Sequence, residues 1–107
     1  MAYAGEQVLD ALGDPTRRQV LMRLRNGARS VTEIADGLDV SRPAVSQHLA
    51  VLKAARLVTN RAEGTRRIYA IDPRGFESVR DWLSGFWDQA LEAFKHAAEQ
   101  TAKHRRK

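Results

Sequence analysis

Cysteine is absent from this 107-residue chain. Disulfides, thiol redox chemistry and thiolate metal sites are therefore excluded. No apolar run approaches the roughly 18 residues that cross a bilayer, so no transmembrane helix or membrane partner is expected. The opening Met1-Ala2-Tyr3-Ala4-Gly5-Glu6 lacks the charged head and apolar stretch of a secretory signal, and the expected compartment is the cytoplasm. Acidic residues are also in deficit. Thirteen Asp and Glu face eighteen Lys and Arg, for a formal charge of +5. That balance fits a polyanionic partner without saying which one. The length suits one domain, residues 1–107, with an adequate but not generous core.

What is present is unevenly placed. Between Arg42 and Arg67 the chain carries Arg42, Lys53, Arg56, Arg61, Arg66 and Arg67 against one acid, Glu63. A quarter of the chain thus holds a charge equal to the whole net value, which favours a dedicated anion-binding segment. The ending Lys103-His104-Arg105-Arg106-Lys107 is a second basic cluster. Residues 102–107 read as a solvated, disordered tail.

The periodicity predicts mostly helix. Val8, Leu9 and Leu12 mark a short amphipathic helix over Glu6 to Leu12. Asp14-Pro15 then gives an N-cap followed by proline at the first helical position, and the helix it opens is expected to stop near Asn26-Gly27. Ser30-Val31-Thr32-Glu33 spells a capping box before a third, short helix. Ser41 caps a fourth, running to about Ala55, in which Val45, Leu49 and Leu52 fall within about 60° of one another on the helical wheel. The period then changes. Leu57 to Arg61 and Arg66 to Ile71 read as two strands around Glu63-Gly64-Thr65, and a long helix follows from about Arg74 to Thr101. The expected fold class is mainly α with a small β-hairpin wing, in the order α-α-α-α-β-β-α.

Two helices with a short link, then a basic hairpin, describe a helix-turn-helix over about 31–55 with a wing over about 57–71. A recognition helix must enter a major groove about 12 Å wide, so its outward residues must be small or able to bond base edges. Opposite the apolar stripe lie Pro43, Gln47, Ala50 and Ala54, flanked by Ser46 and Arg42. Gln47 can bond an adenine edge bidentately, Arg42 a guanine or a phosphate, and Ser46 either.

The run Ser41-Arg42-Pro43-Ala44-Val45-Ser46-Gln47-His48-Leu49, with Leu52-Lys53 and Ala55-Arg56-Leu57-Val58, resembles the winged-helix ArsR/SmtB family of bacterial transcriptional repressors. So do Leu9 to Arg18 and the hairpin from Arg61 to Tyr69. The resemblance implies a homodimer joined through its first and last helices. It also implies paired recognition helices on an inverted repeat in double-stranded DNA, and a wing on backbone phosphate. The expected DNA-binding set is Ser41, Arg42, Pro43, Ser46, Gln47, His48, Lys53, Arg61, Arg66 and Arg67.

Many members of that family are switched by metal, and this chain departs from them. Ser30-Val31-Thr32 stands where the resemblance places a Cys-Val-Cys triplet, and hydroxyls are poor ligands beside thiolates. Of a second family site on the last helix, His96 and Glu99 match one half, while Leu83 and Gly85 occupy the other. No metal or cofactor is expected, and any effector is unknown.

Five of the seven aromatics lie on the last helix. Phe76, Val79, Leu83, Phe86, Ala90, Phe94 and Ala97 step by three and four residues into one stripe, with Trp82, Trp87 and Leu91 beside it. So broad an apolar face favours a partner surface. Phe76, Val79, Leu83, Phe86, Trp87, Ala90 and Phe94 are the expected dimer seam, on a dimerisation helix over about 74–101. Rival classes fare poorly. His48, His96 and His104 form no sequence-local nucleophile–base pair, so no catalytic residue is assigned. An RNA-stacking strand and a GxxG loop are also missing. A regulator answering a small ligand, a His/Glu metal responder or an activator of the same fold stays open.

Overall fold

A computed structural model describes residues 4–105, with side chains for 5–103. The elements in chain order are α1 (Ala4–Ala11), α2 (Pro15–Met22), β1 (Arg29–Ser30), α3 (Val31–Asp36), α4 (Arg42–Ala54), β2 (Val58–Glu63), β3 (Arg66–Ile71) and α5 (Pro73–Arg105). Asp14 accepts from the amides of Thr16 at 2.8 Å and Arg17 at 3.1 Å, which starts α2 ahead of its proline. These bonds, led by that from Arg17, hold the Asp14 carboxyl below its usual range. The α2 helix ends at Met22, short of the expected Asn26-Gly27. Beyond it the chain tightens into i→i+3 turns, such as Leu24 N–H to the Leu21 carbonyl at 3.0 Å.

The core is the set of helical stripes turned inward. Val20, Ile34, Val45, Leu49, Leu52 and Leu57 are wholly buried, and Val8 and Leu24 nearly so. The stripe expected on α4 therefore seals that helix to α2 and α3 and leaves its opposite side in solvent.

The sheet has three strands, not the two expected. β1 joins β3 antiparallel, with Arg29 opposite Tyr69 and Ser30 opposite Ile68. β2 is longer than expected, pairing with β3 from Val58↔Ile71 to Glu63↔Arg66, so only Gly64-Thr65 remain as the loop. Ser30 is at once the last residue of β1 and the N-cap of α3.

Another Asp-Pro pair opens α5. Asp72 is buried, its carboxylate accepts the Arg74 amide at 3.0 Å, and its amide donates to the Leu57 carbonyl at 3.0 Å. The Arg74 side chain grips both carboxylate oxygens, Nε on Oδ1 at 3.1 Å and Nη2 on Oδ2 at 2.8 Å, and holds the Asp72 carboxyl below its usual range. Past its first turns, where Val79 packs on the core, α5 leaves the body of the domain. A compact chain of this length has a radius of gyration of about 13 Å, whereas this one has 19.6 Å and is 72 Å long. The helix also continues through Lys103, His104 and Arg105, so the tail expected to be disordered from residue 102 is helical there. Arg106 and Lys107 lie outside the described residues, as do Met1 to Tyr3.

Candidate nucleic-acid interface

The entry to α3 is fixed by the capping box read from the sequence. Ser30 Oγ accepts the Glu33 amide at 3.2 Å, and Glu33 Oε1 accepts the Ser30 amide at 3.0 Å. Residues 37–41 make the turn, and Ser41 Oγ accepts the Ala44 amide at 3.3 Å to start α4. Ser41 is exposed, and its hydroxyl keeps its own O–H to donate. Arg42, Pro43, Ser46, Gln47, Ala50 and Lys53 are exposed, and His48 is half-buried. The exposed side of α4 therefore presents small and hydrogen-bonding groups without an acid or a bulky apolar residue, apart from Val51 toward its C-terminal end.

Each of the three wing arginines has a partner within the chain. Arg61 meets Glu63 at 3.3 Å, and Arg67 Nη1 donates to the Asn60 side-chain oxygen at 3.2 Å. Arg66 Nη2 reaches Glu33 at 2.8 Å, on the same carboxylate oxygen that accepts the Ser30 amide. That bond ties the hairpin to α3. The hydrogen bond from the Ser30 amide does most to hold the Glu33 carboxyl below its usual range, with the Arg66 charge adding to it.

Two features were not anticipated. From the sequence Glu33 is only a cap, since its wing partner lies 33 residues away. The stretch from Pro15 to Thr32 also contains five arginines and no acid, a local charge equal to that of the 42–67 segment. Acids on either side of the stretch mask it in the total charge, and it stands out only in a short window of the sequence.

On α5, Trp87 is 66% and Phe94 73% exposed, with Phe76, Leu83, Phe86 and Ala90 also open to solvent. Phe76, Val79, Arg80, Leu83, Ser84 and Trp87 line an almost wholly apolar groove of about 430 Å³. Val79 is half-buried against its own core, so it belongs only partly to the exposed stripe. His96 and Glu99 lie on the solvent side of the helix, and no group of three or more His, Asp or Glu converges among the described residues. No described helix is long and apolar enough to cross a membrane.

Two helices joined by a short turn, with the second helix exposed along one side and a basic antiparallel hairpin following it, define a winged helix-turn-helix domain. The pattern of a bacterial regulatory protein of the arsR family matches residues 14–60. The chain is 51% identical over 89 residues to the HTH-type transcriptional regulator Rv2034 of Mycobacterium tuberculosis, covering 83% of each chain. It is 30% identical over 79 residues to the transcriptional repressor SdpR of Bacillus subtilis, covering 74% of this chain and 88% of that one. In three dimensions it resembles the homodimeric winged helix-turn-helix DNA-binding domain Mb0332 of Mycobacterium bovis. The TM-score is 0.62 and the identity 32%, over 87% of this chain and 83% of that one. The chain belongs to the ArsR family of transcriptional regulators, and it is a DNA-binding regulator.

Proposed function

We propose that the chain is a homodimeric repressor that occupies an inverted-repeat operator, with α4 of each protomer in a major groove. The observation that carries this reading is the exposed side of α4, small and polar up to Val51 and free of acids, beside a wing bearing three arginines. Gln47 and Ser46 read base edges, Arg42 reads guanine or grips phosphate, and Lys53 meets the backbone. Pro43 packs on the groove wall, His48 adds a contact from the flank, and Ser41 serves by positioning the helix start. Arg61, Arg66 and Arg67 grip phosphates, exchanging their internal partners for the DNA backbone.

The dimer forms through the α5 stripe from Phe76 to Phe94, together with α1. An aromatic face this exposed is costly in water, and the likeness to a homodimeric domain supports a second copy as its cover. The likeness to SdpR supports repression, which needs only occlusion of a promoter. Such a regulator works beside the chromosome, in the cytoplasm. It is not switched through thiolates, because it has none and Ser30 is engaged as a cap.

Selection from random duplexes followed by footprinting tests the proposal. The expected result is an inverted repeat with half-sites about 10 base pairs apart, bound by two protomers. Enrichment of a single half-site bound one-to-one would overturn it.

A further inference from the structure

A groove of about 500 Å³ lies along the outer side of α2, between that helix, Arg29 and Leu38. Arg18, Arg23 and Arg29 line it, and no acid does. Among the described residues no carboxylate lies within 4.0 Å of any of these guanidiniums. Glu33, which feels the charge of Arg29, is already engaged by Ser30 and Arg66. Met22 and Leu38 give the same groove an apolar side, and Met22 is 55% exposed.

Arg23 connects this groove to the DNA-reading unit. Its Nη2 donates to the Glu33 carbonyl at 3.0 Å, and its guanidinium fills the space that any side chain at Gly37 would need. It therefore pins the end of α2 to α3 and to the turn that launches α4. The pin is imperfect. Arg23 Nε is shielded from solvent and has no hydrogen-bond acceptor, the one such buried side-chain atom among the described residues. A buried donor without a partner is a standing cost, and an oxyanion in the groove would relieve it by drawing the guanidinium toward itself.

We propose that this groove is an effector site for a small organic oxyanion, with a carboxylate or phosphate head on Arg18, Arg23 and Arg29 and a short apolar body against Met22 and Leu38. Binding shifts the Arg23 guanidinium from the Glu33 carbonyl and Gly37, loosens α3 and its turn, and lowers affinity for DNA. The apolar side favours an organic anion over a bare inorganic one, which has no carbon body to place there. The coupling to DNA rests on the function proposed above, whereas the site itself does not.

The test follows the arginine Nε–H and Gly37 amide signals of the full ¹⁵N-labelled chain by NMR, without DNA. Phenyl phosphate, inorganic phosphate and sodium chloride are titrated at matched ionic strength. Phenyl phosphate is expected to shift the Arg23 and Gly37 signals saturably, about tenfold more tightly than inorganic phosphate, and chloride not at all. Arg18→Gln combined with Arg29→Gln, which keeps the Arg23 side chain although it gives up the 2.8 Å bond from Arg29 Nε to the Arg23 carbonyl, should abolish saturation. Equal shifts in chloride, equal midpoints for the two phosphates, or saturation surviving in the double variant would each overturn the proposal. So would movement of these Nε–H signals on adding duplex DNA but not phenyl phosphate, since the groove would then belong to the DNA surface. In a second arm, phenyl phosphate should weaken operator binding by the wild type and not by the double variant. If the signals saturate while operator affinity holds, the coupling is overturned; a wild type that binds no duplex at all would instead refute the DNA-reading proposal.

Discussion

The Gly75 amide donates to the Arg56 carbonyl at 2.9 Å, and a Cβ on Gly75 would lie 2.6 Å from that oxygen. Arg56 ends the turn after α4 with φ +62°, a left-handed conformation that side chains disfavour. The exit of the recognition helix and the start of α5 are therefore in backbone contact. Gly75→Ala must push α5 off that turn and should destabilise the protein by about 1–3 kcal/mol in chemical denaturation. Arg56→Gly should instead be neutral or stabilise by up to about 1 kcal/mol. A Gly75→Ala variant as stable as wild type would mean that the two elements slide freely.

The exposed stripe on α5 predicts a dimer. Sedimentation at micromolar concentration should give about twice the 12.0 kDa chain mass. Leu83→Asp, on α5 and outside the expected DNA-binding set, should give a folded monomer with weakened operator binding, because the second half-site contact is no longer linked to the first. A dimeric Leu83→Asp variant would move the seam elsewhere.

Reading and gripping are separable. Gln47→Ala should cost about 1–3 kcal/mol per half-site on the preferred operator and little on random duplexes. Arg67→Ala, whose internal partner is the neutral Asn60 amide, should weaken all duplexes alike. Its logarithmic salt slope should become shallower by about 1 per protomer. If Gln47→Ala weakens random and specific DNA equally, that side of α4 meets backbone and not bases.

Glu33 links cap and wing, and Gln at the same position keeps the capping geometry while removing the charge. Because Arg66 leaves Glu33 for a phosphate in the complex, Glu33→Gln should tighten DNA binding while leaving the salt slope nearly unchanged. A slope steeper by about 1 per protomer would show that Arg66 stays docked on α3 in the wild-type complex. Acid should act in the same place. The Glu33 carboxyl is held below its ordinary value of 4.5, so its contribution to stability is complete only above that value and is lost as pH falls through the lowered one. Thermal melts should therefore lose more on acidification in the wild type than in Glu33→Gln.

Metal should matter little. With hydroxyls at Ser30 and Thr32, and Leu83 and Gly85 opposite His96 and Glu99 in the second family pattern, zinc or nickel should leave operator affinity within about threefold. A tenfold drop, about 1.4 kcal/mol, would assign His96 and Glu99 a ligand role.

Local signals were legible in the sequence. The Ser30–Glu33 box, the Asp14-Pro15 start and the Val45, Leu49 and Leu52 stripe each depend on residues within one or two turns of helix. The hairpin was legible for the same reason. β1 was not, because two residues carry no period and their partners, Ile68 and Tyr69, lie about forty positions away. The Arg66–Glu33 bond and the Arg23 pin escaped for that reason too. Both depend on how elements meet, and no spacing in the chain encodes either. The helical end of α5 contradicts a rule about termini: Phe94, Lys95 and Ala97 to Lys103 contain neither Gly nor Pro, so nothing stops the helix before Arg105.

Ser30 has a mechanical consequence. Because one residue closes β1 against β3 and also caps α3, the hairpin is a lever with its fulcrum at the doorway of the helix-turn-helix. Beyond Ile68 the arm is held to α3 by the Arg66–Glu33 bond. A load on its tip is delivered to the Ser30 hydrogen bonds, and any tightening there stiffens the arm in return.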